Sequence, residues 1–567
     1  MDNGGRQQQM TKRIKSQVKQ SAKRRRGIAL MESIAQNLTA TSPDDETLSG
    51  LDDVSMSNAT LTRGESSSGI RSPSSSANPT GAAAEDVFLP DPPFAPPHTP
   101  KYSGYASAPN DQGSLVPRNE TDMGFITAYM DYVFPALFPF YRPPILQGGR
   151  TWLLVLAMRN EGYLSTIVSL TSYFFSVVPV DTSHPDHNHC VSDTWKGLQK
   201  QMDLVLATVQ DDLKDISRRG VGDSLLDSVY LLINIGQLLN FELAVPSGKW
   251  QIHLDAATGL SNQIIQHHAS SGESRGISAV LDKLHNTHMA VPITPIQGAF
   301  RFFSAILLID DIISSISLDR PPRLKAYHPE LVQADAPDKE PTLRIEEVIG
   351  CHAWVLLAVS EIATLDQWKK SQSESGHLIQ AELLSRANLI EKRLQEGHRR
   401  LDQHDLSCHD LSTSDSKSDK QLQAYLEHSS WSRDLSPPTP EVHAHLTRIW
   451  AHAAHSYLLV VLLGWQPDDA RIRSNTTRVI DLLNKTPSYT WLRSVVWPFC
   501  VSGCLALGEQ RQTFSMMGDS MAALQTFGTL REALSVMENV WGQSEIDVAS
   551  WDLGSCLKSL GHVALLV

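Results

Sequence analysis

The stretch Val495-Val496-Trp497-Pro498-Phe499-Cys500-Val501-Ser502-Gly503-Cys504-Leu505-Ala506 is apolar on almost every face of a helix. A helix of that kind buries its whole circumference rather than one stripe, so other packed elements must surround it. Pro498 has no amide hydrogen and clashes with the preceding turn, which predicts that the helix starts or kinks there. Cys500 and Cys504 lie four residues apart, on one side. Such a pair admits metal ligation or redox pairing, but two sulfurs without nearby partners make a poor tetrahedral zinc site. Free cysteine is among the most buried residue types, and the stretch reads as core.

The same reading extends outward. Apolar residues recur at three- and four-residue intervals from Trp152 to Val178, Asp203 to Ile216, Leu225 to Leu243, Trp250 to His267, Gln297 to Ser317, Trp450 to Trp465 and Phe514 to Trp541, with almost no strand alternation. An all-α body is expected. Thr121-Asp122 reads as its first helix cap. Phe134-Pro135 and Phe138-Pro139-Phe140-Tyr141-Arg142-Pro143-Pro144 form an aromatic, proline-broken bend. Aromatics so placed can wall a ligand site, but the preferred reading is a turn packed onto the core. Segments 326–342 and 404–440 are polar or proline-containing and read as surface loops.

Ahead of this body the composition changes. The formal charge is −13, yet residues 1–30 carry nine Lys/Arg against one acid, Asp2, a surplus of +8 that leaves −21 for the rest. Lys12, Arg13, Lys15, Lys19, Lys23, Arg24, Arg25 and Arg26 make a segment suited to nuclear import or to lying along a phosphate backbone. Charge alone carries no base readout, so import is preferred over direct DNA contact. Ile28, Met31, Ala35 and Leu38 add a short stripe at helical spacing. From about Thr41 to Arg118 the chain is rich in Ser, Pro, Gly and Asn and reads as a disordered, net-acidic linker. The expected division is a basic arm at 1–40, a linker at 41–120 and a helical body at 121–567.

Six cysteines, at 190, 351, 408, 500, 504 and 556, are scattered, and residues 1–30 hold no secretory apolar segment. Reduced thiols and a soluble chain are expected. Neither Tyr457 to Trp465 nor Ala305 to Ile316, broken by Asp310 and Asp311, reaches the length of a bilayer span.

Several motifs point to one family. They are Asp131-Tyr132-Val133-Phe134-Pro135 with Phe138-Pro139-Phe140-Tyr141; Gly149-Arg150-Thr151-Trp152; Trp250, His253, Leu254; and Gln297 to Ser317 with Arg320-Pro321-Pro322. Gly350-Cys351 with Trp354-Val355 follows, then Ile449-Trp450-Ala451-His452, and last Trp497-Pro498-Phe499-Cys500 with Gly503-Cys504. Over roughly residues 122–567 the chain resembles the fungal-specific transcription factor domain, the regulatory part of many zinc-binuclear-cluster regulators. That resemblance implies a nuclear regulator of target promoters, sometimes those of drug-resistance or secondary-metabolite genes. Such regulators usually open with six closely spaced cysteines that hold two zinc ions. Here the first cysteine is Cys190, so no such cluster forms near the terminus. Either an upstream segment is missing from this sequence or the zinc module has been lost, and DNA is expected as a weak partner without it.

Other chemistry is sparse. His184, His187, His189 and Cys190 carry metal-friendly groups, but Pro185 and Asp186 make Ser183 to Cys190 read as a solvated loop. His443, His445, His452 and His455 lack the paired glutamate of a zincin and read as core or interhelix hydrogen bonding. A carboxylate of Asp310 or Asp311 held inside the body would have a raised pKa and could serve acid–base chemistry or a ligand amine. The preferred reading sets one of them in water and the other on a buried donor. There is no glycine-rich phosphate loop after a strand and no GxSxG. No enzyme, cofactor, metal or membrane partner is expected. The leading function is transcriptional regulation, with a small effector or partner bound between helices. The alternatives are an interaction module that acts through other regulators without touching DNA, and, less favoured, a helical enzyme.

Overall fold

Thr294-Pro295-Ile296-Gln297 carries a complete helix-start signal, and the helix it opens organises the body. The Thr294 hydroxyl accepts from Gln297 N (3.3 Å), and the Gln297 carboxamide oxygen accepts from Thr294 N (2.8 Å), a reciprocal cap with Pro295 at the first position. This helix, Pro295–Leu318, is buried on nearly all sides.

The computed structural model describes residues 120–143, 148–178, 187–245, 249–268, 276–285, 293–331, 342–408, 439–486, 489–543 and 551–567. In chain order these form α1 (Glu120–Ala128), α2 (Phe134–Leu137), α3 (Thr151–Arg159), α4 (Glu161–Val177), α5 (His187–Arg219), α6 (Leu225–Ala244), α7 (Trp250–His268), α8 (Ile277–Lys283) and the central α9 (Pro295–Leu318). Then come α10 (Glu346–Ile349), α11 (Ala353–Glu374), α12 (Gln380–Cys408), α13 (Pro440–Leu463), α14 (Ala470–Asn484), α15 (Val496–Cys504), α16 (Glu509–Asp519), α17 (Leu530–Gly542) and α18 (Leu553–Leu557). Among the described residues there is no β-strand, so the body is all-α as expected. Around α9 pack α3, α6, α7, α11 and α18.

The opening stretch behaves as read. All nine residues of α15 are buried, and Pro498 sits in its first turn, preceded by a 3-10 segment, Tyr489–Val495. Trp497 stacks on Trp450 of α13 (centroids 5.3 Å, 17° between planes). Gly503 lets α15 and α17 approach closely. A Cβ there would lie 1.9 Å from Met537 Sδ, and Trp541 Nε1 donates to Gly503 O at 2.9 Å. The aromatic bend packs as a turn: Phe134, Phe138, Tyr141 and Trp152 surround Phe302 of α9, and Trp152 Nε1 donates to Tyr141 Oη at 3.0 Å.

Several boundaries differ from expectation, each for a local reason. Thr121 and Asp122 lie within the first turn of α1 rather than capping it. The run from Trp152 breaks at Asn160, whose Oδ1 caps α4 by accepting from Tyr163 N (2.9 Å). Lys325–Leu331 is a 3-10 segment that buries Tyr327, His328 and Leu331, so the start of the 326–342 segment is not surface loop. The last expected helical run divides into α16, a 3-10 turn (Ala522–Thr526) and α17. Helix α12 reaches Cys408; it is amphipathic, with Leu383, Ala387, Ile390, Leu394 and Leu401 buried along one stripe. Its exposed Arg and Glu residues pair at helical spacing, as Arg386 does with Glu382 (2.6 Å). Helix α13 is long and apolar enough to cross a membrane, a length no run was expected to reach. However, 72% of its most apolar window is buried, against α11, α12, α14 and α15.

Candidate functional site

Three polar side chains from distant parts of the chain converge on one cavity. Together with its opening to solvent it spans about 610 Å³, and it is walled by Leu137, Phe138, Leu243, Ala244, Ile306 and Ile309, among others. Asn240 reaches it from α6, Asp310 from α9 and Arg493 from the 3-10 segment ahead of α15. Within the aromatic bend, Phe138 packs on Phe302 and also lines the cavity.

The polar groups are poorly matched to one another. Asp310 is 1% exposed, and its Oδ2 has no hydrogen-bond partner among the described residues. Burial, reinforced by neighbouring Asp311, pushes its pKa well above the carboxylate range, which favours the neutral acid. Asn240 is 6% exposed, with an unpartnered Nδ2. Arg493 donates through Nη1 to Phe527 O and lies over the Phe527 ring at 5.0 Å. Among the described residues no carboxylate forms an ion pair with it, and burial lowers its pKa to about 10. Gly528, at φ 105°, gives the guanidinium its room, since a Cβ there would stand 2.3 Å from Nη2. Thr529 Oγ1 holds Val567 O at 2.9 Å, which brings Val567 to the cavity wall.

The expectation that one of Asp310 and Asp311 faces water is corrected. Both are buried, because α9 has no solvent face at that level. Asp311 Oδ2 accepts from Leu324 N at 2.8 Å, and burial lifts its pKa to about 6 against those backbone donors.

The remaining sequence candidates are satisfied or lie elsewhere. Asn475 of α14 bridges two histidines of α13, with Oδ1 3.3 Å from His452 Nδ1 and Nδ2 3.1 Å from His455 Nδ1. His443 Nδ1 meets Gly350 O at 2.9 Å and His445 Nε2 meets Thr486 Oγ1 at 3.3 Å. These are the interhelix bonds expected. Burial, then neighbouring His398, lowers His452 to about 4. His187, His189 and Cys190 begin α5 rather than closing a loop, while His184 lies outside the described residues. So do all eight basic residues of the arm: Lys12, Arg13, Lys15, Lys19, Lys23, Arg24, Arg25 and Arg26.

Two clusters escaped the sequence reading because they join distant segments. Cys556 of α18 brings a third thiol to Cys500 and Cys504, whose sulfurs are 3.9 Å apart. All three are buried. Hydrogen bonding to Cys504 and burial push Cys500 well up, and burial does the same to Cys556; Cys504, to which both neighbours hydrogen-bond, is the one held down. Elsewhere Asp319, Asp366 and Asp552 converge as a metal site might, but Lys370 Nζ stands among them at 2.5, 3.3 and 2.5 Å. Burial opposes its charge, yet the three carboxylates raise its pKa.

No solved structure matches the chain closely enough to compare. Among characterised proteins, transcription factor dibT of Pestalotiopsis microspora is 33% identical, covering 100% of this chain and 93% of that protein. The trichothecene biosynthesis transcription regulator TRI10 of Trichoderma arundinaceum is 26% identical over 76% of this chain and 92% of its own length. The ustiloxin B cluster transcription factor ustR of Aspergillus flavus is 25% identical over 74% and 67%. The profile of the fungal specific transcription factor domain matches residues 124–567, nearly the whole described body, and the chain belongs to that family.

Proposed function

We propose that this transcription factor regulates genes of a secondary-metabolite cluster, and that its helical body is a receiver which binds a small effector in the cavity between α6, α9 and the 3-10 segment before α15. One observation carries the receiver reading: two buried polar side chains, Asn240 and Asp310, and the half-buried Arg493 line a space that none of them fills, the first two with unpartnered atoms. Native interiors rarely leave such atoms unmet without a role. The names of the relatives, which include regulators of trichothecene biosynthesis and of the ustiloxin B cluster, support the choice of target genes. In this reading the body at 121–567 regulates rather than catalyses. The linker at 41–120 tethers the arm at 1–40, which takes the chain to the nucleus and lies along DNA phosphates with little sequence preference.

Deleting the gene tests the reading, with transcripts measured across the genome. Loss or rise of transcripts confined to one biosynthetic cluster is expected; no change in any cluster overturns it. Replacing Lys23, Arg24, Arg25 and Arg26 by alanine in a fluorescent fusion is expected to leave the protein in the cytoplasm. Affinity of the purified chain for DNA is expected to fall steeply with salt. If it binds no DNA at any salt while the transcripts still respond, the chain acts through other regulators.

A further inference from the structure

The wall of the cavity is largely apolar; its polar side chains are Asn240, Asp310, Ser494 and the half-buried Arg493. Arg493 offers a guanidinium, Asn240 its unpartnered amide N–H, and Asp310 sits without the cation that would stabilise a charged carboxylate. The Arg493 guanidinium has donors only and repels a ligand ammonium, so a guest that completes its hydrogen bonding must bring acceptors. The most demanding of the three is Arg493, a desolvated cation with no ion-pair partner among the described residues. A planar carboxylate matches its fork with two parallel hydrogen bonds. The rest of the lining, from Leu137 and Phe138 to Ile306 and Ile309, suits a hydrocarbon or aromatic body.

Resting on the receiver reading above, we infer that the effector is a small amphiphilic carboxylic acid, its carboxylate on Arg493, a second oxygen within reach of Asn240 and Asp310, and its apolar part against α2, α6 and α9. The amine ligand that Asp310 suggests when its sequence is read alone is excluded by this arrangement. An ammonium placed there would share the cavity with the half-buried Arg493 guanidinium.

Octanoate, methyl octanoate and octylamine, titrated calorimetrically into the full chain at pH 7, test the inference. Octanoate is expected to bind and to raise the melting temperature, with the ester and the amine at least about tenfold weaker, the loss of one charge-assisted pair. Arg493→Met is expected to lower octanoate affinity by about tenfold or more and to abolish the preference for the acid. Because Arg493 also braces Phe527, the melting temperature of that variant is measured first; Arg493→Lys, which keeps the charge and loses the fork, serves if the methionine variant does not fold. It is expected to retain the preference for acid over ester at reduced affinity. Tighter binding of the ester or the amine than of octanoate overturns the carboxylic-acid class and leaves the receiver reading standing. Absence of binding by all three also overturns the class. The receiver reading itself falls if Ala244→Leu, which fills the cavity, leaves the target transcripts unchanged in the fungus.

Discussion

Asp310 and Asp319 stand nine residues apart, one within α9 and one at its C-terminal cap, yet the helix holds them in opposite chemical situations. Around Asp319, Lys370 is shared among three carboxylates, and Lys558 joins from the C-terminal segment. Around Asp310, a carboxyl, an amide and a guanidinium face a space and leave one another unmet. Polar groups that close on themselves fix one arrangement of the helices. Those around Asp310 are left without that closure.

Breaking the closed network should cost most. Lys370→Met leaves Asp366 and Asp552 beside Asp319 with Lys558 as the remaining cation, on Asp319, and should destabilise the body by about 3 kcal/mol, read from denaturant midpoints. Next is acid. In the fold His452 stays neutral down to about pH 4, whereas in the unfolded chain it takes a proton near 6.5. Its contribution is therefore complete above pH 6.5 and is lost as the pH falls toward 4, by at most about 3 kcal/mol. His452→Gln should flatten that part of the stability profile. Gly503→Ala drives a methyl into Met537 and should cost about 2 kcal/mol.

The smallest effect separates the two regions most sharply. Burial holds the folded pKa of Asp310 well above the 3.8 of the unfolded chain, so it drains stability as the pH rises from that value. Asp310→Asn removes the drain. It should melt higher than the parent chain at pH 7, with the gap closing toward pH 3.8. An equal gap at both pH values would mean that Asp310 is charged in the fold.

Helix after helix could be read from spacing, because apolar period is a local property of the chain. Leu225–Ala244 and Pro295–Leu318 fall within two residues of expectation. The break at Asn160 was easy to pass over: no proline marks it, Gly162 falls just inside the next helix, and a single carboxamide cap supplies the turn. Polarity hid α12, whose stripe is narrow and whose remaining surface is charged. Burial of both Asp310 and Asp311 could not be inferred, since it depends on the helices that enclose α9 on every side. The candidate site was least legible. Asp310 drew attention through its apolar neighbours, but nothing near Asn240 or Arg493 in sequence signals that the fold brings them to the same space.

The reciprocal cap at Thr294 and the Lys370 knot grip the two ends of α9, and the cavity opens onto its middle. Nine residues at 1.5 Å each set Asp310 only about 14 Å from the knot. A stiff rod held at both ends cannot give way where it is touched without loading its anchorages. An occupant that displaces the middle of α9 thus pulls on Asp552 and Lys558, and the final segment of the body becomes the place where its arrival is felt.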